Sequence, residues 1–474
     1  MNLLKKFSLF SIGPVVSALL GFITVPIITY YIVPAEYGRA NMFTLLQSIF
    51  SMFMYLGMDQ AYVREYFAVD KDQRKNLLAN AMFVPILLIP LMEILLFVFR
   101  YDLSYWLFES YDELFSIYLL MALLPMMVFE NFALLRIRLA EKGLLYSTLI
   151  IALKLLILIF TVGFFLFYEK SFRSVIYALA FAEILIGLIL LLTVIRREQL
   201  FKQRLDKDLI GQMLRYGLPL LPASLMIWIL NSMDKIMLRE LYDYHSVGIY
   251  SVAFKFVTIL AIIQTCFRLF WTPVANRWHE EGKDRASFEL VGKILTILMF
   301  IVFIGLLLVK DLVIIIFSQK YMAAAQVVPF LLIYPIMCTI SEVTFLGINF
   351  SRKTTALLVT TTVAALVNGL LNYTLIPPYA AMGAAVATGI SYLVYFWTGS
   401  LISRKLWYDF PLKLHLLTSG LILLNGLVHI IWDNYLPYGI SVLSLILYLA
   451  CYRKFIFDRL TLAWQAFRKG ASKR

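Results

Sequence analysis

The sequence consists of apolar runs about twenty residues long that short polar segments separate. Of its 474 residues, 62% are hydrophobic and 15% are charged, and the mean hydropathy is +0.83. Soluble domains carry about 25% charged residues, so these figures exclude a water-soluble fold. A hydrocarbon core about 30 Å thick takes roughly 20 residues per helix, and the length of this chain is therefore mostly membrane spans.

Fourteen of the runs are long enough to cross a bilayer. They lie near residues 7–31, 41–63, 78–99, 113–135, 146–167, 174–195, 213–238, 247–271, 290–309, 325–349, 355–375, 380–402, 412–431 and 437–452. Lipid permits only helices or closed barrels to span, and the runs lack the alternation of polar and apolar residues of barrel strands. The sequence therefore predicts an all-α polytopic membrane protein with fourteen transmembrane helices.

Lys and Arg residues outside the runs lie mostly on the side of the membrane that both termini share. The positive-inside rule makes this side cytoplasmic, and shared termini require an even number of spans. The same bias accounts for the formal net charge of +13, so we expect no binding of nucleic acid, which needs a soluble basic face. The three cysteines lie apart, without the spacing of a disulfide framework or a zinc site.

The chain divides into four predicted parts. They are an N-terminal six-helix bundle (1–195), a basic cytoplasmic linker (196–212), a second six-helix bundle (213–402), and two additional helices with a basic cytoplasmic tail (403–474).

The start of the second bundle resembles the start of the first. Residues 10–38 and 216–248 each contain a helix with Gly and Pro, followed by a short loop that ends in Gly. Six helices separate the two starts, so the bundles share one orientation and form a parallel repeat about an axis along the membrane normal. Such repeats surround a central cavity and alternate its access by rocking, which is the architecture of a transporter.

Ionisable residues inside spans face the protein interior and indicate function. The helices most expected to line the cavity carry basic groups, which favours an anionic substrate. The predicted substrate-binding residues are Arg39, Arg64, Lys154, Arg215, Lys255 and Arg268. The alternative is that groups near helix ends, such as Arg215 and Arg268, extend to the membrane interface.

A second set of residues has the chemistry of a cation site. Asn368 and Asn372 are four residues apart and share one helix face, and Thr388 lies on the next helix. With Asp234, they offer a carboxylate, two amide oxygens and a hydroxyl, which suit a hard cation such as sodium. The alternative is that the asparagines form hydrogen bonds between helices, with Asp234 paired to a neighbouring cation.

No enzyme motif competes with the transporter interpretation. The four histidines lie apart, and the sequence has no phosphate-binding GxxxxGK[ST], no GxGxxG and no GxSxG. A membrane-embedded glycosyltransferase would need a large outer loop with acidic residues, which the short segments between the runs do not provide. A scaffold for a polysaccharide synthase would not need the repeated halves and buried charges that this chain has.

Four segments resemble the polysaccharide or oligosaccharide flippases of the multidrug/oligosaccharidyl-lipid/polysaccharide exporter superfamily. They are GFITVPIITYYIVPAEYGRANMF, YGLPLLPASLMIWILNSMDKIML, HSVGIYSVAFKF and YAAMGAAVATGISYLVYF. The resemblance implies movement of an undecaprenyl-pyrophosphate-linked oligosaccharide across a bacterial inner membrane, for O-antigen of lipopolysaccharide, capsule or exopolysaccharide. It also implies a polysaccharide polymerase as a partner, no bound cofactor, and coupling to sodium or protons in some members.

Two related functions stay open at this stage. One is flipping of lipid II for peptidoglycan, which the sequence separates poorly from flipping of other lipid-linked sugars. The other is cation-coupled export of drugs or metabolites. Exporters of that kind usually have twelve spans and an acidic cavity, whereas this chain has two further spans and basic cavity candidates.

Overall fold

The computed structural model describes residues 3–351, 353–432, 434–455 and 457. These residues form eighteen α-helices and three short 3₁₀ helices, and they contain no strand. The predicted all-α membrane fold is therefore confirmed. Most of the predicted basic tail, residues 458–474, lies outside the described residues.

The chain before the linker forms eight helices. They are α1 Leu3–Tyr31, α2 Pro34–Tyr55, α3 Met58–Glu65, α4 Arg74–Val98, α5 Arg100–Phe108, α6 Leu114–Leu139, α7 Gly143–Phe167 and α8 Phe172–Arg197. The short 3₁₀ helix Leu200–Lys202 follows in the linker.

Ten helices follow. They are α9 Lys207–Gly217, α10 Leu221–Leu241, α11 Tyr244–Glu280, α12 Arg285–Phe317, α13 Ala324–Leu331, α14 Ile333–Thr344, α15 Leu346–Phe350, α16 Thr354–Leu406, α17 Lys413–Ile431 and α18 Leu436–Cys451. The 3₁₀ helix Leu218–Leu220 joins α9 to α10, and the 3₁₀ helix Gln319–Tyr321 precedes α13.

Eleven helices in the described part of the chain are long and apolar enough to cross a membrane. The chain is thus a multi-pass membrane protein, and the count of fourteen spans stays a prediction. The difference comes from three places. Helix α2, which holds most of the run 41–63, has 22 residues but is not apolar enough to be counted. The runs 355–375 and 380–402 both lie in α16, and α18 has only 16 residues.

Helix α16 is two helices joined by a sharp reversal. Pro377 and Pro378 remove backbone donors, and Ala380 has a left-handed φ of 49°. A Cβ atom on Gly383 would lie 2.1 Å from the carbonyl oxygen of Leu375. Eight residues of straight helix would separate these positions by about 12 Å, so the second arm of α16 runs back along the first.

Helices α2 and α11 cross in reciprocal contact. A Cβ atom on Gly38 would lie 2.2 Å from the carbonyl oxygen of Tyr244, and one on Gly248 would lie 1.9 Å from that of Pro34. Only glycine permits so close an approach of two backbones. Each glycine therefore faces the first turn of the other helix, and such a reciprocal contact is typical of two elements that a two-fold axis relates. It agrees with the predicted repeat, while the division into two bundles stays a prediction.

The end of the molecule that holds the C-terminus of α1 and the N-termini of α2 and α11 is called the distal end here. The opposite end, which holds α3 and α9, is called the proximal end. At the distal end, Oγ1 of Thr29 donates to the Phe317 carbonyl at 2.5 Å, and Nζ of Lys320 donates to the Tyr30 carbonyl at 3.0 Å. These bonds join α1 to the end of α12 and the turn after it, so the distal end is closed.

Candidate functional site

Asp234 of α10 is 2% exposed and accepts hydrogen bonds from the three residues predicted to accompany it. The amide Nδ2 of Asn368 donates to Oδ1 at 3.0 Å, and that of Asn372 donates to the same oxygen at 2.6 Å. The hydroxyl of Thr388 donates to Oδ2 at 2.7 Å. The structure therefore brings together all four residues, which form the Asp234 site (Asp234, Asn368, Asn372 and Thr388).

The fold of α16 assembles this site. Asn368 and Asn372 lie one turn apart on its first arm, and the reversal places Thr388 of the second arm beside them. The Thr388 hydroxyl also lies 2.9 Å from the Ala384 carbonyl, so this carbonyl borders the site. Three buried donors satisfy a carboxylate that would otherwise be costly inside a membrane.

Tyr250 of α11 completes the surroundings of Asp234. Its hydroxyl donates to Oδ2 at 2.5 Å and lies 3.2 Å from the hydroxyl of Thr388. The sequence did not predict this bond. The helix of Tyr250 is fixed beside α10 by tertiary packing, which no local spacing reveals.

The chemistry of the Asp234 site fits a hard cation. Its ligand atoms would be oxygens, from one carboxylate, two amides, a hydroxyl and the Ala384 carbonyl. The Oδ1 atom of Asn372 is buried and has no hydrogen-bond partner in the described structure, which leaves an acceptor without a donor. Among the described residues, no three His, Cys, Asp or Glu side chains gather as a transition-metal site would require.

Three lysines from three helices are linked by electrostatic interactions inside the protein, and we call them the lysine cluster (Lys154, Lys235 and Lys255). Lys255 experiences the positive charge of Lys154, and Lys235 experiences that of Lys255. Lys255 is accessible although it lies far from both ends of α11. A charged side chain at this depth faces the protein interior and not the lipid, so Lys255 faces a space inside the protein. The structure therefore brings Lys154 and Lys255 of the predicted substrate set together.

Carboxylates of the first half lie behind Lys154. Glu183 of α8 accepts a hydrogen bond of 2.7 Å from Nε2 of Gln47, and both Glu183 and Glu130 interact electrostatically with Lys154. These carboxylates offset part of the positive charge of Lys154. Lys235 and Lys255 are on the other side of the cluster, where Asp234 is the acidic neighbour of Lys235.

Arg64 and Arg215 lie at the proximal end. The guanidinium of Arg64 lies 4.4 Å from the ring centre of Tyr216, the neighbour of Arg215 in the chain. The backbones of Gly57 and Gly217 meet beside them, since a Cβ atom on Gly57 would lie 2.5 Å from the Gly217 carbonyl oxygen. Both arginines are exposed. They are thus separate from the Asp234 site.

Arg39 occupies the distal end instead. Its NH1 donates to Oε1 of Glu36 at 2.9 Å, its NH2 lies 3.5 Å from a carboxylate oxygen of Glu109, and its guanidinium faces the ring of Tyr244. In this conformation two carboxylates neutralise Arg39, and it joins the closed end of the molecule. Its predicted role in substrate binding stays a prediction that would apply when this end opens.

Arg268 lies further along α11 than Lys255. It is exposed and interacts electrostatically with Glu342 of α14, whose Oε1 accepts a 3.3 Å hydrogen bond from Gln264. Because 13 residues of helix correspond to about 20 Å, Arg268 and Lys255 form two separate points of positive charge on one helix.

A comparison with protein families finds one match, to a family described as "Polysaccharide biosynthesis protein", over residues 3–274. This range covers more than half of the chain. No curated protein matches the sequence.

Solved structures share the fold. A structure titled "Lipid II flippase MurJ, inward closed conformation" is 18% identical, has a TM-score of 0.71, and is matched over 94% of this chain and 99% of that one. An outward-facing multidrug resistance MATE family transporter of the MOP superfamily is 16% identical, with a TM-score of 0.56 over 84% of this chain and 93% of that one. A MOP superfamily transporter from Pyrococcus furiosus is 15% identical, with a TM-score of 0.53 and coverage of 85% and 95%.

Proposed function

Because the chain belongs to the polysaccharide biosynthesis protein family, we propose that it is a flippase for an undecaprenyl-pyrophosphate-linked oligosaccharide. In this proposal it moves the saccharide from the cytoplasmic to the outer leaflet of a bacterial inner membrane. The oligosaccharide would serve O-antigen, capsule or exopolysaccharide synthesis, and a polymerase would act on it after transfer. The protein would be a transporter and not an enzyme.

The lysine cluster is the observation that carries this proposal. Ammonium groups that repel one another inside a membrane are unfavourable unless an anion neutralises them. A pyrophosphate supplies several negative charges at one point, and Lys can bind phosphate as a compact positive charge. Arg64 and Arg215 at the proximal end, and Arg268 along α11, give the headgroup further positive charges on its path.

The direction of transfer follows from charge and from the closed end. Most Lys and Arg residues outside the spans are on the side that both termini share, so the proximal end would face the cytoplasm. The described conformation has its distal end closed, while Arg64 and Arg215 are exposed at the proximal end. We interpret this as the state that receives cargo from the cytoplasmic leaflet, and opening of the distal end as the step that releases it.

The Asp234 site would couple this movement to a cation, sodium in the first place and a proton as the alternative. Asp234, Asn368, Asn372, Thr388 and the Ala384 carbonyl would hold the ion, whose charge would replace the donated hydrogen bonds at the carboxylate. These residues join α10 to both arms of α16. A change in their bonding would therefore alter how these helices pack, and the packing of α10 reaches the lysine cluster through Lys235.

The test uses the purified full-length chain in proteoliposomes, with a fluorescent polyprenyl-pyrophosphate oligosaccharide as cargo. We expect Lys255→Ala and Arg268→Ala to abolish transfer while membrane abundance stays normal, and Lys255→Arg to retain part of it. Loss of surface polysaccharide in cells that carry the same variants provides a second measurement. Normal transfer by both alanine variants would contradict the proposal.

Flipping of lipid II is the second candidate, and the similarity of the fold to the structure titled as a lipid II flippase favours it. Both cargoes are polyprenyl pyrophosphates with sugars, so the lysine cluster suits either. The two are separated by giving the proteoliposomes each cargo in turn. Transfer of lipid II alone would replace the polysaccharide assignment.

A further inference from the structure

A polar pocket at the distal end plays no part in the proposed transfer path. It has a volume of about 300 Å³ and lies between the C-terminal ends of α12 and α17 and the first turns of α13 and α18. Its volume is at the lower end of the range for small-molecule sites, about 300–1,000 Å³. The Phe317 end of α12 contacts α1 there, which places the pocket at the distal end.

The floor of the pocket is an ordered network of charges. Lys310 is only 4% exposed, and its Nζ donates to Oδ1 of Asp311 at 2.9 Å. The Tyr438 hydroxyl donates to the other carboxylate oxygen of Asp311. Beside them His429 is buried, with its Nε2 3.1 Å from the Ser441 hydroxyl. The charges of Lys310 and Asp311 cancel, so the pocket offers no excess of either sign.

The rim of the pocket carries free hydrogen-bonding groups and an indole. In the described part of the chain, the Gln326 amide and the Trp432 indole have no hydrogen-bond partner. Asn434 uses its Oδ1 to accept from the backbone N–H of Leu436 at 2.9 Å, which leaves its NH₂ to donate. Trp432 is 42% exposed, and its ring forms an open aromatic wall.

We propose that this pocket binds a neutral saccharide residue. Amide groups both donate and accept, as ring hydroxyls require, and Asp311 is partly exposed and can accept from a further hydroxyl. The indole offers an apolar face with an N–H at its edge. A phosphate would need net positive charge, and a simple cation would need net negative charge, so the balanced pair favours an uncharged ligand rich in hydroxyls.

The role of the pocket rests on the proposed function, because an oligosaccharide reaches the pocket only if the protein releases it at the distal end. The pocket would then hold a sugar of the transferred chain after it emerges at the distal end. Sugar binding itself is a property of the pocket and can be measured without any lipid-linked cargo.

The experiment is saturation-transfer-difference NMR on the full chain in detergent, with free N-acetylglucosamine and free galactose as separate probes. We expect saturable binding in the millimolar range for at least one sugar, and at least tenfold weaker binding by Gln326→Ala and by Trp432→Ala. Gln319→Ala is the matched control, since Gln319 is exposed on the adjoining turn and does not line the pocket. This variant should bind like the unchanged chain.

Three results would overturn the inference: no saturable binding of either sugar, binding that both pocket variants retain, or displacement of the sugar by inorganic phosphate or phosphoethanolamine. The proteoliposome assay separates this failure from failure of the proposed function. Transfer without sugar binding would remove the pocket inference alone, and sugar binding without transfer would remove the flippase proposal alone.

Discussion

The hydroxyl of Tyr250 donates to the same carboxylate oxygen of Asp234 that accepts from Thr388. Oδ2 is therefore already satisfied twice within the protein, while Oδ1 accepts from two asparagines. A cation proposed at this carboxylate must compete with donated protons. The strength of that competition sets how tightly the site would bind an ion.

Tyr250→Phe removes one hydroxyl that competes for the Asp234 carboxylate and leaves the four residues of the Asp234 site unchanged. We expect the apparent affinity for sodium to rise several-fold, because a hydrogen bond of about 1 kcal/mol no longer opposes binding. The measurement is the rise of the melting temperature with NaCl, against choline chloride at the same ionic strength. Tyr392→Phe is the control, because Tyr392 is also buried but bonds Asn231. An unchanged or weaker response to sodium would contradict the expectation.

Asn372→Asp tests the site in the opposite direction. A second carboxylate one turn from Asn368 and beside Asp234 would repel the first, and a bound cation would relieve that repulsion. We expect a less stable protein without sodium and a larger stabilisation by sodium. Asn372→Ala and Asp234→Asn should remove the sodium dependence of transfer. If all three variants respond to sodium as the unchanged chain does, the Asp234 site is not the coupling site.

Much of the Asp234 site could be predicted from the sequence, because most of its residues lie close together along the chain. Asn368 and Asn372 share a helix face by their separation alone, and Pro377 and Pro378 mark the reversal that carries Thr388 back. Asp234 was added as a carboxylate inside a span, where charge indicates a buried partner. Tyr250 was missed as a partner, because an aromatic residue inside a span is common and its neighbour across two helices depends on tertiary packing.

The predicted substrate-binding residues show the limit of the same reasoning. Their charge and depth could be read from the sequence, but their distribution between the two ends could not. Arg39 lies in the first turns of α2, and only the position of the loop after α5 reveals that Glu109 neutralises it. The place of Lys235 beside Lys255 likewise depends on how α10 packs against α11.

Gly248 tests whether closure of the distal end matters. Even alanine at this position would place its Cβ 1.9 Å from the Pro34 carbonyl oxygen, so Gly248→Ala must separate α11 from α2. We expect faster maleimide labelling of Ile32→Cys, a buried position at the distal end, and slower transfer of cargo. The labelling uses a background in which Cys266, Cys338 and Cys451 are replaced by Ser.

The control for this variant is Gly163→Ala, because a Cβ atom there would meet nothing within 4 Å. It adds the same methyl group to a membrane helix, α7, without forcing helices apart. Labelling of Ile32→Cys should then match the unchanged chain. Equal labelling rates in the Gly248→Ala and Gly163→Ala backgrounds would mean that the contact of α2 with α11 does not control access to the distal end.

Lys255 should favour transfer of the cargo but lower the stability of the cargo-free protein. Its charge is repelled by Lys154 and in turn repels Lys235, so without an anion the cluster destabilises the folded chain. We expect Lys255→Gln to raise the melting temperature of the cargo-free protein and to lower the rate of transfer at least tenfold, which corresponds to about 1.4 kcal/mol in the barrier to transfer. Lys283→Gln, on an exposed residue that lies over Trp278, should change neither the melting temperature nor the rate of transfer.

Pyrophosphate added to the unchanged chain should also raise its melting temperature, because the anion would neutralise the lysine cluster. This rise should be smaller in Lys255→Gln. If Lys255 only distorted the packing and bound no anion, pyrophosphate would not change the melting temperature. Equal stabilisation of both proteins by pyrophosphate would place the anion elsewhere.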